Sequence, residues 1–327
     1  MAQAPGPRRV RVLGTGGTIA GAAAEAGDVL GYTAGQIGVQ QLLGGIAVPG
    51  VALQAEQVAN IDSKDMDWAV WQALAGRCAH WLAQDAVDGL VITHGTDTLE
   101  ETAFFLHHVL DARKPVVLTC AMRPATAPAP DGPQNLRDAI AVAATPQARG
   151  VLAVCAARVH VGAELRKSHT YRLDAFSAGD HGLFGDMEEG RLRRLREWPR
   201  SAASARRLQA VLAAPQPPRV EIIGSHAGAS GRLVDLLLRE RQAQAPDAVQ
   251  GLVLAGTGNG TLHHALEAAA LRAQAAGVTV WRSTRCAAGR VLPHAGDRLP
   301  GAGDWTPVQA RVALQLALLE GRRDAAL

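Results

Sequence analysis

Short apolar runs recur along the chain at 9–13, 88–93, 115–120, 150–155, 219–223, 251–255 and 278–281, and most of the intervals between them carry helical periodicity. That alternation predicts a two-domain α/β protein whose sheet is mainly parallel. The segment 98–110 reads as a helix, because Leu99, Ala103, Leu106 and Leu110 form one apolar stripe and Thr98 with Glu101 has capping-box spacing. The segment 307–319 reads as the last helix, with Pro307 suited to its first turn and Val308, Val312, Leu314, Leu316 and Leu319 apolar. Between about 190 and 218 the periodic pattern gives way to Arg, Ala and Pro, ending in Ala213-Ala214-Pro215-Gln216-Pro217-Pro218. The expected division is therefore a larger N-terminal α/β domain over 1–200, a linker over 201–218 and a smaller C-terminal α/β domain over 219–327.

Composition adds exclusions. The 327 residues are 48% hydrophobic and 19% charged, enough for two domains with substantial cores. The net charge of +3 comes from 33 basic against 30 acidic residues, and the one basic cluster is Arg191-Leu192-Arg193-Arg194-Leu195-Arg196 with Arg200, Arg206 and Arg207. No aromatic residues are interleaved beyond Trp198, so the cluster reads as a solvated linker surface and no nucleic-acid partner is expected. Cys78, Cys120, Cys155 and Cys286 show neither a C-x-x-C pair nor zinc spacing, and the histidines lack acidic partners at metal spacing; no metal is expected. Met1 to Arg9 has no apolar core of a signal sequence and no stretch is long enough to span a membrane. A cytoplasmic location is the expectation, with the periplasm as the alternative if a leader has been removed.

Two strand ends carry the candidate chemistry. Gly14-Thr15-Gly16-Gly17-Thr18-Ile19-Ala20-Gly21 follows the first apolar run, and Thr93-His94-Gly95-Thr96-Asp97-Thr98-Leu99-Glu100-Glu101-Thr102 follows the second. Ligands of open α/β sheets bind at the carboxyl ends of strands. Two threonine-bearing ends can thus converge on one small substrate, with hydroxyls to attack it and an aspartate to hold a charged group.

These motifs, in this order and spacing, resemble the bacterial L-asparaginase/glutaminase family that uses a threonine nucleophile, and Glu100-Glu101-Thr102-Ala103-Phe104-Phe105-Leu106 is closer to its type II branch. Tyr32-Thr33-Ala34-Gly35, Asn60-Ile61-Asp62-Ser63-Lys64-Asp65-Met66, Ala121-Met122-Arg123-Pro124, Asp131-Gly132-Pro133-Gln134-Asn135-Leu136, Lys167, Gly256-Thr257-Gly258-Asn259-Gly260 and Ala310-Arg311-Val312 fall where that family has similar segments. The resemblance implies hydrolysis of L-asparagine to L-aspartate and ammonia through a threonine acyl-enzyme, with side activity on L-glutamine, no cofactor, and a homotetramer built from intimate dimers. It assigns catalysis to Thr18, Tyr32, Thr96, Asp97 and Lys167. Substrate binding falls to Gly17, Asp62, Ser63, Lys64, Gly95, Thr96, Asp97 and Ala121, with Asn259 reaching the neighbouring subunit's site. Within that scheme Thr18 attacks, Tyr32 activates it, and Thr96 with Lys167 handles the water or acyl step. Asp97 grips the α-ammonium and Ser63 the α-carboxylate. Lysine suits proton handling because a desolvated ammonium changes its pKa readily, whereas a guanidinium does not.

Three departures stand out. Lys64 occupies a position where type II members usually have glutamine or glutamate, and its ammonium either strengthens carboxylate binding or points to solvent. The stretch after Arg285-Cys286-Ala287-Ala288-Gly289 lacks the acidic residue that the family usually gives to its partner's site, and Asp297 is the nearby acid. The disulfide common in periplasmic members finds no place among the four cysteines. The segment 20–35, rich in Gly and Ala and carrying Tyr32, suits a lid; His94 reads as a packing residue. Two other functions compete: a nucleotide-binding module, against which Ile19 replaces the third glycine of G-x-G-x-x-G and no G-K-[ST] follows, and an amidotransferase relative, which carries an extra N-terminal domain.

Overall fold

The computed structural model describes residues 6–25 and 27–324; the first five residues, part of the segment read for a signal sequence, and residue 26 of the expected lid lie outside them. The chain divides into two compact units, Met1–Leu208 and Gln209–Leu327.

In the first unit the strands are β1 (Arg8–Gly16), β2 (Val51–Ile61), β3 (Gly89–Thr93), β4 (Pro115–Thr119), β5 (Gly150–Cys155), β6 (Arg158–Val161), β7 (Arg166–Lys167), β8 (Phe176–Ser177), β9 (Gly185–Glu188) and β10 (Arg191–Arg194). Eight of them form one sheet in the order β10-β9-β6-β5-β4-β3-β1-β2, while β7 and β8 make a separate two-stranded ribbon. Strands β2 to β5 of this order run parallel with β1, and β6, β9 and β10 extend the sheet antiparallel. Every residue of β3, β4 and β5 is buried, as unbroken apolar runs require when both sheet faces are covered.

Four helices flank this sheet: α1 (Val39–Leu42), α2 (Trp68–Leu82), α3 (Leu99–Val109) and α4 (Gly132–Ala144). Leu136, Ala139, Ile140 and Ala143 of α4 pack with Val12, Val91, Val117 and Leu152 from one sheet face. The Asp67 side chain caps α2 by accepting from the Val70 N–H at 2.9 Å. Helices α2 and α3 meet through Trp71 stacked on Phe105 at 4.7 Å, and the Trp71 indole N–H donates to the Thr102 hydroxyl at 2.9 Å.

The order of connection decides where a ligand can sit. From β1 the chain goes to β2 on one side and then returns to β3 on the other, so the carboxyl ends of β1 and β3 flank a topological switch point.

In the second unit β11 (Val220–Gly224), β12 (Gly251–Gly256) and β13 (Thr279–Thr284) form a parallel three-stranded sheet. After α5 (Ala205–Ala213), which straddles the division between the units, the helices are α6 (Arg232–Gln242), α7 (His264–Ala275) and α8 (Pro307–Leu319). The expected linker 201–218 thus holds a helix. Leu252, Leu254 and Val280 pack with Leu266, Ala269, Ala270 and Ala273 of α7 in a core of small residues. Helix α8 has Pro307 in its first turn and a complete capping box between Thr306 and Gln309. The mixed α/β class and the seven expected strands are all present.

Two readings of the sequence are corrected. At the start of α3 the Thr98 side chain makes no cap bond; its hydroxyl donates instead to the Ser63 carbonyl at 2.7 Å, which ties the helix start to a neighbouring loop. The basic cluster is largely solvated, as expected, but part of it is not linker: Arg191–Arg194 is the edge strand β10, where Arg193 pairs with Asp186 at 3.1 Å, and Arg196 pairs with Glu164. Arg207 is buried and donates to the His108 carbonyl at 3.0 Å.

Candidate active site

Strand β1 ends in a turn that only glycine can make. Gly17 has φ +82°, and a Cβ placed on it would fall on the main chain of Gly95 in the loop after β3. The two strand-end loops therefore touch through bare backbone. The Gly17 N–H donates to the Ile61 carbonyl at 2.8 Å, and the Gly35 N–H to the Gly17 carbonyl at 3.2 Å.

Thr18 follows directly and is 6% exposed, with its Oγ1 2.7 Å from the Tyr32 hydroxyl. Tyr32 reaches it because the 20–35 segment folds back on itself through paired backbone bonds between Ala22 and Thr33. Ile19 and Ala20, in the turn of Thr18, pack against the buried Ala121 at the end of β4. The loop carrying Ala121 is itself braced by Asp131, which accepts from the N–H groups of Met122 at 3.0 Å and Arg123 at 2.9 Å. Asn135 adds a bond from its amide to the Cys120 carbonyl at 3.0 Å.

At the end of β3, Thr96 is also 6% exposed. The Lys167 ammonium donates to Thr96 Oγ1 at 2.9 Å and to Asp97 Oδ1 at 2.6 Å. Lysine and threonine are 71 residues apart in sequence, and β7 brings them together. Ser63, 2% exposed, accepts from the Asp97 N–H at 3.1 Å, which leaves its own hydroxyl proton for another acceptor. Asp62, Ser63 and Lys64 occupy the turn after β2, where the Asp62 side chain caps the Lys64 N–H. Thr18, Tyr32, Thr96, Asp97, Lys167 and Ser63 thus line adjoining strand ends of one unit.

Three further assigned or candidate residues have protein partners of their own within the chain. The Lys64 ammonium is exposed and paired with Asp65 at 2.8 Å and Asp62 at 3.1 Å, which together raise its pKa. In the second unit, Asn259 spends its side-chain amide on the Leu292 peptide, donating at 3.2 Å and accepting at 2.7 Å. The Asp297 carboxylate is held by Arg282 at 2.6 Å and by the His294 N–H at 3.0 Å, so it is not a free acid.

His94 is fully buried with Nδ1 2.7 Å from the Gly95 carbonyl, and burial pushes its pKa down to about 4. It remains neutral and serves packing. Glu100 was only part of a motif in the sequence; here its Oε2 accepts from the Lys167 backbone N–H at 3.3 Å, and burial pushes its carboxyl up to about 7. Nothing in the sequence marks that burial, because the residue lies in the polar first turn of α3. All four cysteines are free thiols, and among the described residues no group of histidine, cysteine and acidic side chains could hold a metal ion.

The arrangement resembles known proteins over nearly its whole length. A family model described as "Asparaginase, N-terminal" matches residues 9–200, and one described as "Glutaminase/Asparaginase C-terminal domain" matches 219–327. The chain is 37% identical to L-asparaginase 2 of Bacillus subtilis, over 94% of this chain and 82% of that one. It is 33% identical to the glutaminase-asparaginase of Pseudomonas fluorescens biotype A, over 94% of this chain and 86% of that one. Among solved structures, a probable cytoplasmic L-asparaginase from Campylobacter jejuni superposes with a TM-score of 0.87 at 34% identity, covering 97% of each chain. Matched by both family models and by relatives of this similarity, the chain belongs to the asparaginase family.

Proposed function

We propose that this protein hydrolyses the side-chain amide of L-asparagine to L-aspartate and ammonia, with L-glutamine as a secondary substrate. The observation that carries this reading is the meeting of two threonines at one switch point, each with its own proton partner: Thr18 with Tyr32, and Thr96 with Lys167.

Thr18 Oγ1 attacks the amide carbon as its proton passes to the Tyr32 oxygen and the phenolic proton of Tyr32 moves on to the amide nitrogen. The tetrahedral intermediate expels ammonia, protonated as it leaves, and Thr18 is left as an ester of the substrate's side chain. Water, oriented by Thr96 and Lys167, then opens the ester, its proton passing through the Thr96 hydroxyl to the departing Thr18 oxygen. Backbone N–H groups of the glycine-rich loops suit the developing oxyanion, because they are fixed before the reaction begins. Asp97 grips the substrate's α-ammonium and Ser63 its α-carboxylate, with Gly17, Asp62, Gly95 and Ala121 shaping the pocket. The 20–35 segment acts as the lid that delivers Tyr32.

The working molecule is a homotetramer of intimate dimers in which Asn259 completes the neighbour's site. Among the described residues no helix is long and apolar enough to cross a membrane, and a cytoplasmic location is part of this proposal. The alternative is a broad glutaminase-asparaginase, favoured by the similarity to the Pseudomonas fluorescens protein. One methylene separates the two substrates and discriminates by only about 1–3 kcal/mol.

Ammonia release measured side by side on L-asparagine, L-glutamine and their D-isomers tests the reading, with assays repeated across a dilution series followed by light scattering. The expected result is the highest kcat/KM on L-asparagine and activity lost on dissociation. Equal turnover of L-glutamine selects the broad enzyme. Absence of ammonia from both L-amides overturns the amidohydrolase, and a fully active monomer overturns the shared site.

A further inference from the structure

Lys167 stands on a weak support. Its strand, β7, has two residues, paired with the two of β8 and continued by bonds from the Ser168 and His169 N–H groups to the Ala175 carbonyl, and so short a ribbon has little stiffness of its own. Yet its ammonium makes two short bonds, to Thr96 and Asp97, whose lengths depend on where the Lys167 backbone lies. Misplacement of a reacting group by about 1 Å costs on the order of 10²-fold in rate.

Glu100 supplies the missing constraint. It sits three residues beyond Asp97, in the first turn of α3, and its Oε2 accepts from the Lys167 backbone N–H at 3.3 Å. One turn of chain therefore holds Lys167 at both ends: Thr96 and Asp97 hold the ammonium, and Glu100 holds the peptide. We propose that Glu100 is a positioning residue for Lys167, fixing the backbone from which the ammonium reaches Thr96 and Asp97. This inference rests on the role given to Lys167 above.

The electrostatics around Glu100 say what kind of acceptor is needed. Burial is the largest influence raising its carboxyl to about 7, and Glu101 on the same helix adds to it. The Lys167 N–H and the charges of Arg166 and Lys167, all on β7, pull the other way. Near neutral pH the group is thus divided between acid and carboxylate, and an uncharged acceptor of the same length can take its place. Glutamine meets that requirement; aspartate is one methylene too short, and alanine offers no acceptor.

The test compares Glu100→Gln, Glu100→Asp and Glu100→Ala in the full chain, with native enzyme and Lys167→Met alongside. Expected are kcat values within about threefold of native for Glu100→Gln and about 10- to 100-fold lower for Glu100→Ala and Glu100→Asp, with KM for asparagine changed less than about threefold throughout. Rescue by glutamine and the split between kcat and KM are not what general loosening of the fold would give. Glu100→Ala with native kcat, or Glu100→Gln as impaired as Glu100→Ala, overturns the inference. If Glu100→Ala fails to fold, the contrast of Glu100→Gln with Glu100→Asp decides. A crystal structure of Glu100→Asp reads the same point without turnover: the Lys167 Nζ leaves hydrogen-bond reach of Thr96 if Glu100 holds it, and stays if it does not. Inactive native enzyme would therefore sink the reading of the reaction without touching this geometry. An active native enzyme, an inactive Lys167→Met and an unaffected Glu100→Ala would sink the positioning role alone.

Discussion

Strands β1 and β3 of the first unit and β12 of the second all run out into glycine and threonine, yet they end differently. After β1 and β3 the hydroxyls face groups from distant segments: Thr18 faces Tyr32, and Thr96 faces Lys167. After β12, in Gly256-Thr257-Gly258-Asn259-Gly260, the polar atoms close on their own surroundings. Thr257 and Thr261 share a hydroxyl contact at 2.9 Å, Asn259 bonds the Leu292 peptide, and the Thr284 hydroxyl donates to the Gly258 carbonyl at 2.6 Å. A strand end becomes a candidate site when a second one meets it at a reversal of strand order. Where none does within the chain, the same residue types bond inside their own unit, and the role proposed for Asn259 lies across subunits.

The largest expected effect falls on the first of these ends. Thr18→Ala should lower kcat by about 10²–10⁴-fold while aspartate still binds and the fold persists, since the attacking oxygen is lost and the anchors remain. A loss below about tenfold would remove Thr18 as nucleophile and erase the distinction between the two kinds of strand end.

A smaller effect separates the units by charge. His94, His107 and His160 are held down to about 4 and His108 to about 3, each chiefly by burial, and all four lie in the first unit. The unfolded chain takes up protons on these imidazoles from about pH 6.5 downward while the folded one resists, so stability present above pH 6.5 is lost as the pH falls toward 4. Melting of the full chain should drop by roughly 5–10 °C between pH 7 and 4.5. A His107→Gln/His160→Gln double variant should flatten the slope; an unchanged slope would place the acid sensitivity elsewhere.

The smallest effect concerns Lys64. With its ammonium already shared by Asp65 and Asp62, Lys64→Gln should change KM for asparagine by less than about threefold. A rise of about tenfold, by contrast, would mean that substrate draws the ammonium away from those carboxylates.

Most strands that could be read from sequence are buried on both faces; β11, with Ile222 exposed, was readable from its apolar run. Strand β2 escaped because it lies at the sheet edge and its residues 51–61, rich in Ala and Gln, alternate between half-buried and exposed. The short strands β6 to β10 carry too few apolar residues to show a period, and nothing in the exposed arginines of β10 shows in sequence that Asp186 and Glu188 lie across the strand pair. In the candidate site, the two strand-end motifs pointed to Thr18, Thr96 and Asp97, while Tyr32 and Lys167 came in through the resemblance of their segments to the family. Glu100 was hidden, since its burial depends on which segments the fold brings alongside, whereas the partners of Lys64 are its sequence neighbours Asp62 and Asp65.

The contact of Gly17 with Gly95 limits how this site can vary. A Cβ on Gly17 would meet the Gly95 main chain, and one on Gly95 would meet Ser63 and Gly17. The spacing between the loop bearing Thr18 and the loop bearing Thr96 is therefore a fixed gauge, the thickness of two bare backbones, with no side chain through which it can be widened by degrees. A longer substrate cannot be admitted by parting the two hydroxyls. Room for it has to come from the rim, in the part of the 20–35 segment before Gly35, whose N–H holds the Gly17 carbonyl.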